Sequence, residues 1–420
     1  MSLKQKIDSL LKKATDVGDV PGVVAMTTNR DGALYEGAFG KRILGQDAAM
    51  TTDTVVWIAS MTKALTGTAA MQLVERGKLE LESPASKWVP ALGSVQVLEG
   101  FDAAGKPRTR EPKSPITLRH LLTHTAGFSY EIWNSDIQHY QQANNLPGIT
   151  SCQNAALHTP LLFDPGTRWD YGINIDYVGK AVEAVTGKKL SAVLTENVFE
   201  PLGMKDTAFK ITPSMRTRLA KIHQRGDDGK LTPLMDLEIP QEPEFEMGGG
   251  GLYGTAGDYL KFIRMILNGG KANGKQVLRP ETVKTMSANH IGTVLVGPLK
   301  TAIPSLSNDV DVFPGMAKKW GLSFLINTEK APTGRSAGSL AWAGLANTYF
   351  WIDPTKGIGG VYLSQVLPFA DKKSLPLCGE FETAVYQSAG LGAAPPRMTA
   401  FGRKQTLANV RYRPKAVIRV

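Results

Sequence analysis

Val55-Val-Trp-Ile-Ala-Ser-Met-Thr-Lys63 is the stretch that decides the fold. A short apolar run gives way at Ser60 to a segment in which Met61, Leu65, Ala69 and Leu73 recur every fourth residue, and Gly77 supplies a stop. That pattern predicts a helix over 60–75 with Ser60 at its mouth. Unpaired backbone N–H groups and the positive end of the helix dipole favour an oxyanion developing there. Lys63 falls on the same helix face, so its amine can approach the Ser60 hydroxyl. A lysine stripped of water can give up its proton and activate a serine. The tetrad alone is weak, because Ser9-Leu-Leu-Lys12 repeats it inside an amphipathic helix flanked by lysines. A serine opening a helix is also most often a cap. On local sequence, nucleophile and cap are equal readings of Ser60.

Toward the N-terminus, Gly22 to Thr28 and Ala33 to Gly40 flank Asn29-Arg-Asp-Gly32, the signature of an antiparallel hairpin. Before it, Leu3, Ile7, Leu10, Leu11 and Ala14 line one face of a first helix. From about Glu80 to Met204, short helical segments alternate with Pro- and Gly-rich loops, and strand alternation is scarce. Gly248-Gly-Gly-Gly-Leu-Tyr-Gly-Thr-Ala-Gly257 then leads into a helix from Asp258 to Leu267. Strand-like runs follow at 321–326, 346–352 and 359–365, and a terminal helix covers about 380–388. The layout is α+β: an antiparallel sheet flanked by helices, plus a mainly helical domain. Residues 1–80 and 210–420 form the discontinuous sheet domain and 81–209 the helical one.

The chain has 420 residues, 42% hydrophobic and 20% charged, the make-up of a globular enzyme. Its net charge of +10 invites a nucleic-acid or membrane reading. The excess, however, sits largely in Arg397, Arg403, Lys404, Arg411, Arg413, Lys415 and Arg419, with no acid between 397 and 420. A basic terminus of this kind reads as a solvated tail, and no aromatic-interleaved basic run supports nucleic-acid binding. No apolar run is long enough to span a membrane, and no signal-peptide core opens the chain, so a cytoplasmic location is expected. Cys152 and Cys378 are too few and too far apart for a disulfide framework or a metal pattern. His120 and His124 stand at i, i+4 but lack an acidic third ligand, so they read as structural. No G-x-S-x-G elbow is present, and the glycine run lacks the Lys-Ser/Thr of a phosphate loop, so it reads as a close-packed turn. No cofactor and no metal are implied.

Ser-x-x-Lys is the nucleophile motif of the β-lactamases and penicillin-binding proteins, and the resemblance extends beyond it. Trp57 to Pro90, and Ile116-Thr-Leu-Arg-His-Leu-Leu-Thr-His-Thr-Ala-Gly127 after Pro115, resemble the class C β-lactamase and family VIII carboxylesterase group. Tyr171-Gly-Ile-Asn-Ile-Asp-Tyr-Val-Gly179 is similar to that group's tyrosine box, and Trp342-Ala-Gly344 stands in the place of its third box. The matches come in the family's order over roughly residues 20 to 390. The resemblance implies that Ser60 is acylated, that Tyr171 relays its proton, and that Lys63⁺ within hydrogen-bonding reach favours the phenolate. It further implies an oxyanion hole from the N–H groups of Ser60 and Leu345, beside Trp342 and Gly344. Gly344 would be glycine because substrate must approach the strand edge there.

Two departures bear on substrate. The Lys-Thr that begins the lactamase third box is replaced by Trp342-Ala343, and Ile173 replaces the asparagine of Tyr-x-Asn; Asn174, one position late, has no assigned role. The loss of a cation and a hydroxyl favours a neutral carboxylic ester over an anionic β-lactam. The expected activity is therefore serine carboxylesterase on small-molecule esters of short to medium acyl chain. A β-lactamase, a D-Ala-D-Ala carboxypeptidase, an acyltransferase and a non-catalytic binding protein are the alternatives.

Overall fold

The computed structural model describes residues 2–388, so the basic stretch 397–420 lies outside the described residues. One seven-stranded antiparallel sheet organises the molecule, in the spatial order Lys318–Trp320, Leu325–Asn327, Leu340–Gly344, Thr348–Asp353, Ile358–Leu363, Gly22–Asn29 and Ala33–Gly40. Chain-distant strands thus meet at its centre, where Val24 lies opposite Leu363 and Met26 opposite Val361. The expected hairpin is the sheet's edge, closed at Asn29, whose side chain accepts from the N–H groups of Asp31 and Gly32.

Each face of the sheet is covered. Ile7 and Leu11 of the helix Leu3–Asp16 pack with Phe381 and Val385 of the helix Ser374–Gln387 against Tyr362 and Trp351. On the other face the helix Ala256–Leu267 sets Tyr259 against Phe350, ring centroids 5.0 Å apart. Behind that layer runs Thr62–Glu75, buried from Thr62 to Leu73 on every side, the pattern of a helix enclosed by protein. It packs against Asn174–Thr186 from the mainly helical middle of the chain.

Several expectations change in detail. The helix after Ser60 begins at Thr62, and Ala59–Met61 forms a short 3₁₀ turn ahead of it. The run 321–326 is not one strand: a tight turn separates Lys318–Trp320 from Leu325–Asn327, with the Gly321 N–H donating to Phe324 O and Ser323 at φ +78°. Leu340–Gly344 is a central strand that alternation cannot reveal, because it is buried on both faces at Leu340 and Ala341. The strand-poor middle segment carries a hairpin, Val97–Phe101 with Pro107–Arg110. The last helix starts earlier than read, at Ser374.

Candidate active site

Ala59 holds φ at +47°, a left-handed backbone that a residue with a Cβ adopts at a cost of about 1–3 kcal/mol. Its surroundings enforce it. The Ile58 N–H donates to Leu252 O, the Thr62 hydroxyl donates to Ala59 O at 2.6 Å, and the Leu252 N–H donates to that same hydroxyl. The bend thrusts Ser60 out of the strand-to-helix turn. Met61, not Ser60, is the N-cap of the helix and makes no side-chain cap bond, so the Ser60 hydroxyl is not spent on capping.

That hydroxyl accepts from Lys63 Nζ at 3.0 Å. The amine, 1% exposed, also donates to Tyr130 Oη at 3.0 Å and to Gly249 O at 2.6 Å, which uses all three of its protons. The Tyr171 phenol lies beside Ser60, which opposes the rise of its pKa, and its Oη accepts from Trp342 Nε1 at 3.0 Å. The sequence reading placed the amine within hydrogen-bonding reach of this phenol. The structure instead sets Nζ over the face of the Tyr171 ring, 4.7 Å from its centroid, so amine and phenol meet at the serine between them.

Burial drives the Lys63 amine well below its ordinary range, with the charge of Asp176 opposing that shift. Burial likewise raises the Tyr171 phenol, against the hydrogen bonds from Ser60 and Trp342. Of the two, the amine is therefore the group that gives up its proton first, and its loss leaves a base beside Ser60. Asp176 is itself pushed upward by burial, with the Lys63 charge opposing.

Gly344 lies where the third box requires. A Cβ there would stand 2.4 Å from Ile58 O and 2.2 Å from the Thr348 hydroxyl. The protein's own serine turn and the neighbouring strand make a close approach there. Leu345 lines the same pocket as Ser60, with Tyr130, Trp133, Ile149 and Met247. No charged side chain lines that pocket among the described residues. It is narrow, about 30 Å³, whereas beyond Trp342 a mainly apolar cavity of about 260 Å³ opens between Trp169, Leu299, Val312 and Phe369.

Three participants escaped the sequence reading. Tyr130 follows the Ala126-Gly127 end of a recognised box by three positions and gave no separate signal. Asp176 was quoted in the tyrosine box without a role, and Gly249 was read only as part of a turn. Asn174 is fully buried, and its amide meets His124 Nδ1 at 3.0 Å; the His124 ring packs 4.9 Å from that of Tyr171. His120 accepts from the Thr117 N–H through Nδ1 at the start of a short helix, a structural use.

A family model described as Beta-lactamase matches residues 7–376. The chain is 33% identical over 399 residues to the monacolin J acid methylbutanoyltransferase of Aspergillus terreus, covering 90% of this chain and 95% of that one. It is 31% identical over 398 residues to the lovastatin esterase of Penicillium rubens, covering 91% and 98%. Among solved structures it is similar to EstCE1, described as a hydrolase with promiscuous acyltransferase activity. There the TM-score is 0.72 and the identity 25%, over 91% of this chain and 98% of that one.

Proposed function

The chain belongs to the beta-lactamase family of serine hydrolases and acyltransferases, and on that premise we propose that it is a family VIII-like serine carboxylesterase working through an acyl-Ser60 intermediate. The observation that carries this reading is the Ser60 hydroxyl held between the Lys63 amine and the Tyr171 phenol in an uncharged pocket. Ser60 Oγ attacks the ester carbonyl and its proton passes to the Lys63–Tyr171 pair. The N–H groups of Ser60 and Leu345 receive the oxyanion. The same proton leaves with the alcohol, and water then opens the acyl-serine with the pair again acting as base.

The cleft lies between the sheet-bearing segments 1–80 and 210–420 and the helical segment 81–209. Among the described residues no cation lines the narrow pocket, whereas Lys318 and Arg335 line the larger cavity, so the acyl group bound at Ser60 is uncharged. The narrow space beside Ser60 takes a short acyl chain, and the cavity beyond Trp342 takes a bulkier apolar alcohol.

Acyl transfer to an alcohol is the second reading, favoured by the methylbutanoyltransferase relative. It shares the acyl-serine and differs only in the acceptor. The test is hydrolysis of p-nitrophenyl esters of graded acyl length by wild type and Ser60→Ala, with and without an added alcohol. Ser60→Ala is expected to lose at least ~10³-fold in kcat/KM; wild-type turnover in that variant overturns the assignment. Transfer product outrunning free acid decides for the second reading.

A further inference from the structure

Asp176 is 1% exposed, and among the described residues only one of its carboxylate oxygens is used: Oδ1 accepts from the Gly249 N–H at 2.8 Å, while Oδ2 has no hydrogen-bond partner there. Other carboxylates buried as deeply in this protein behave differently. Asp371 binds Arg225 through both oxygens. Asp353 accepts from the Lys356 N–H through Oδ1 and from the Ser336 N–H and Tyr386 Oη through Oδ2. A bare buried carboxylate oxygen costs about 1–3 kcal/mol or more; Glu131 Oε2 is the other case among the described residues, and of the two only Asp176 stands behind the Lys63 amine.

What Asp176 faces explains its retention. Gly249 spends both backbone groups at once, its N–H on Asp176 and its carbonyl on Lys63 Nζ. A Cβ on Gly249 would sit 2.8 Å from Asp176 Oδ2, so glycine at this position lets the carboxylate close in behind the amine's acceptor. The titratable groups facing Lys63 are Tyr130, Tyr171, His124 and Asp176. Those facing Asp176 besides Lys63 are Tyr130, Tyr171, Tyr177, Cys152 and Lys180. Among the described residues, Asp176 is the one acid whose charge acts on the amine.

We propose that Asp176 is a positioning residue: its charge, set across Gly249 from Lys63, holds the labile proton on the Lys63–Tyr171 pair and so fixes the pH at which Ser60 becomes reactive. The proposal rests on the reading of Ser60 as the acylated residue. Asp176→Asn keeps an acceptor for the Gly249 N–H and removes only the charge. With that negative charge gone, the pair surrenders its proton more easily, and the acidic limb of reactivity moves to lower pH.

The experiment is the rate of Ser60 labelling by a fluorophosphonate against pH, in wild type and Asp176→Asn, with thermal melts alongside. The expected result is an acidic midpoint lower by about one pH unit or more, with a plateau rate reduced no more than ~10-fold because the base is weaker. A rate lowered at every pH about an unmoved midpoint marks a merely structural role and overturns the inference alone. A wild type that is not labelled overturns the Ser60 reading and the inference with it. Where Asp176→Asn does not fold, Lys63→Met supplies the reciprocal measurement. Without the cation Asp176 takes up a proton, and a protonated-carboxyl infrared band appears at neutral pH relative to wild type; its absence overturns the inference.

Discussion

Two deeply placed cation–carboxylate arrangements among the described residues are treated in opposite ways. Arg335 and Glu382, with side chains 9% and 3% exposed, are locked together: Nε donates to Oε1 at 2.7 Å, Nη2 to Oε2, and the Thr333 hydroxyl adds a second donor to Oε1. Burial works against the Arg335 charge, but the charge and hydrogen bonds of Glu382 outweigh it and leave the guanidinium more firmly protonated than usual. Lys63 and Asp176, each 1% exposed, do not form such a contact; Gly249 stands between them. There burial wins, and both groups are driven toward neutrality. Equal depth therefore does not decide whether a charge is fixed or exchangeable; direct bidentate contact does. One arrangement holds a helix to the sheet, and the other keeps a proton movable next to a serine.

Replacing the cation by methionine in each pair tests that contrast directly. Lys63→Met is expected to cost at least ~10³-fold in kcat/KM, about 4 kcal/mol of barrier, while folding stability is held or raised. The sign follows from the depressed amine: its folded pKa lies below its unfolded one, so between those values the unfolded chain binds the extra proton and wild-type stability rises with pH. Methionine removes that rise and leaves Asp176 to take up a proton, so stability instead falls as pH climbs through the raised range of the carboxyl. Arg335→Met is expected to do the reverse, losing about 3–5 kcal/mol of stability by leaving Glu382 buried and unpaired. Because Arg335 lines only the cavity beyond Trp342 and not the pocket at Ser60, the folded molecules of this variant should keep wild-type kcat on a short p-nitrophenyl ester. Urea melts at two pH values, paired with initial rates on the folded fraction, check both. Equal destabilisation by the two substitutions would erase the distinction.

How much of this was legible in the sequence follows from the same contrast. Ser60, Lys63, Tyr171 and Trp342-Ala-Gly344 could be read because each lies in a short box whose spacing is itself the signal. The hairpin at 22–40 could be read because turn chemistry at Asn29–Gly32 is local. Asp176 and Tyr130 could not be assigned, because their roles depend on contacts with Lys63 and Gly249 across 67 and 73 residues or more. The strand Leu340–Gly344 lacks alternation because the sheet covers it on both sides. At Gly344 the sequence names the glycine, but only the folded chain shows Ile58 and Thr348 pressing on it.

The smallest expected effect probes how finely the movable proton is tuned. In the locked pair Glu382 Oε1 has two donors, whereas Trp342 Nε1 supplies Tyr171 Oη with a donor that no other side chain besides Ser60 duplicates among the described residues. Trp342→Phe keeps an aromatic wall against the Tyr171 ring, now 4.8 Å from the indole, and deletes that N–H. A neutral hydrogen bond contributes about 1 kcal/mol, so kcat is expected to fall about fivefold. The acidic limb should move to higher pH, because a phenolate deprived of a donor forms less readily. Both changes belong to the proton-sharing pair. A variant that raised KM alone, with kcat and the pH profile unmoved, would reduce Trp342 to a wall of the substrate cavity and leave Ser60, Lys63 and Tyr171 to tune one another without it.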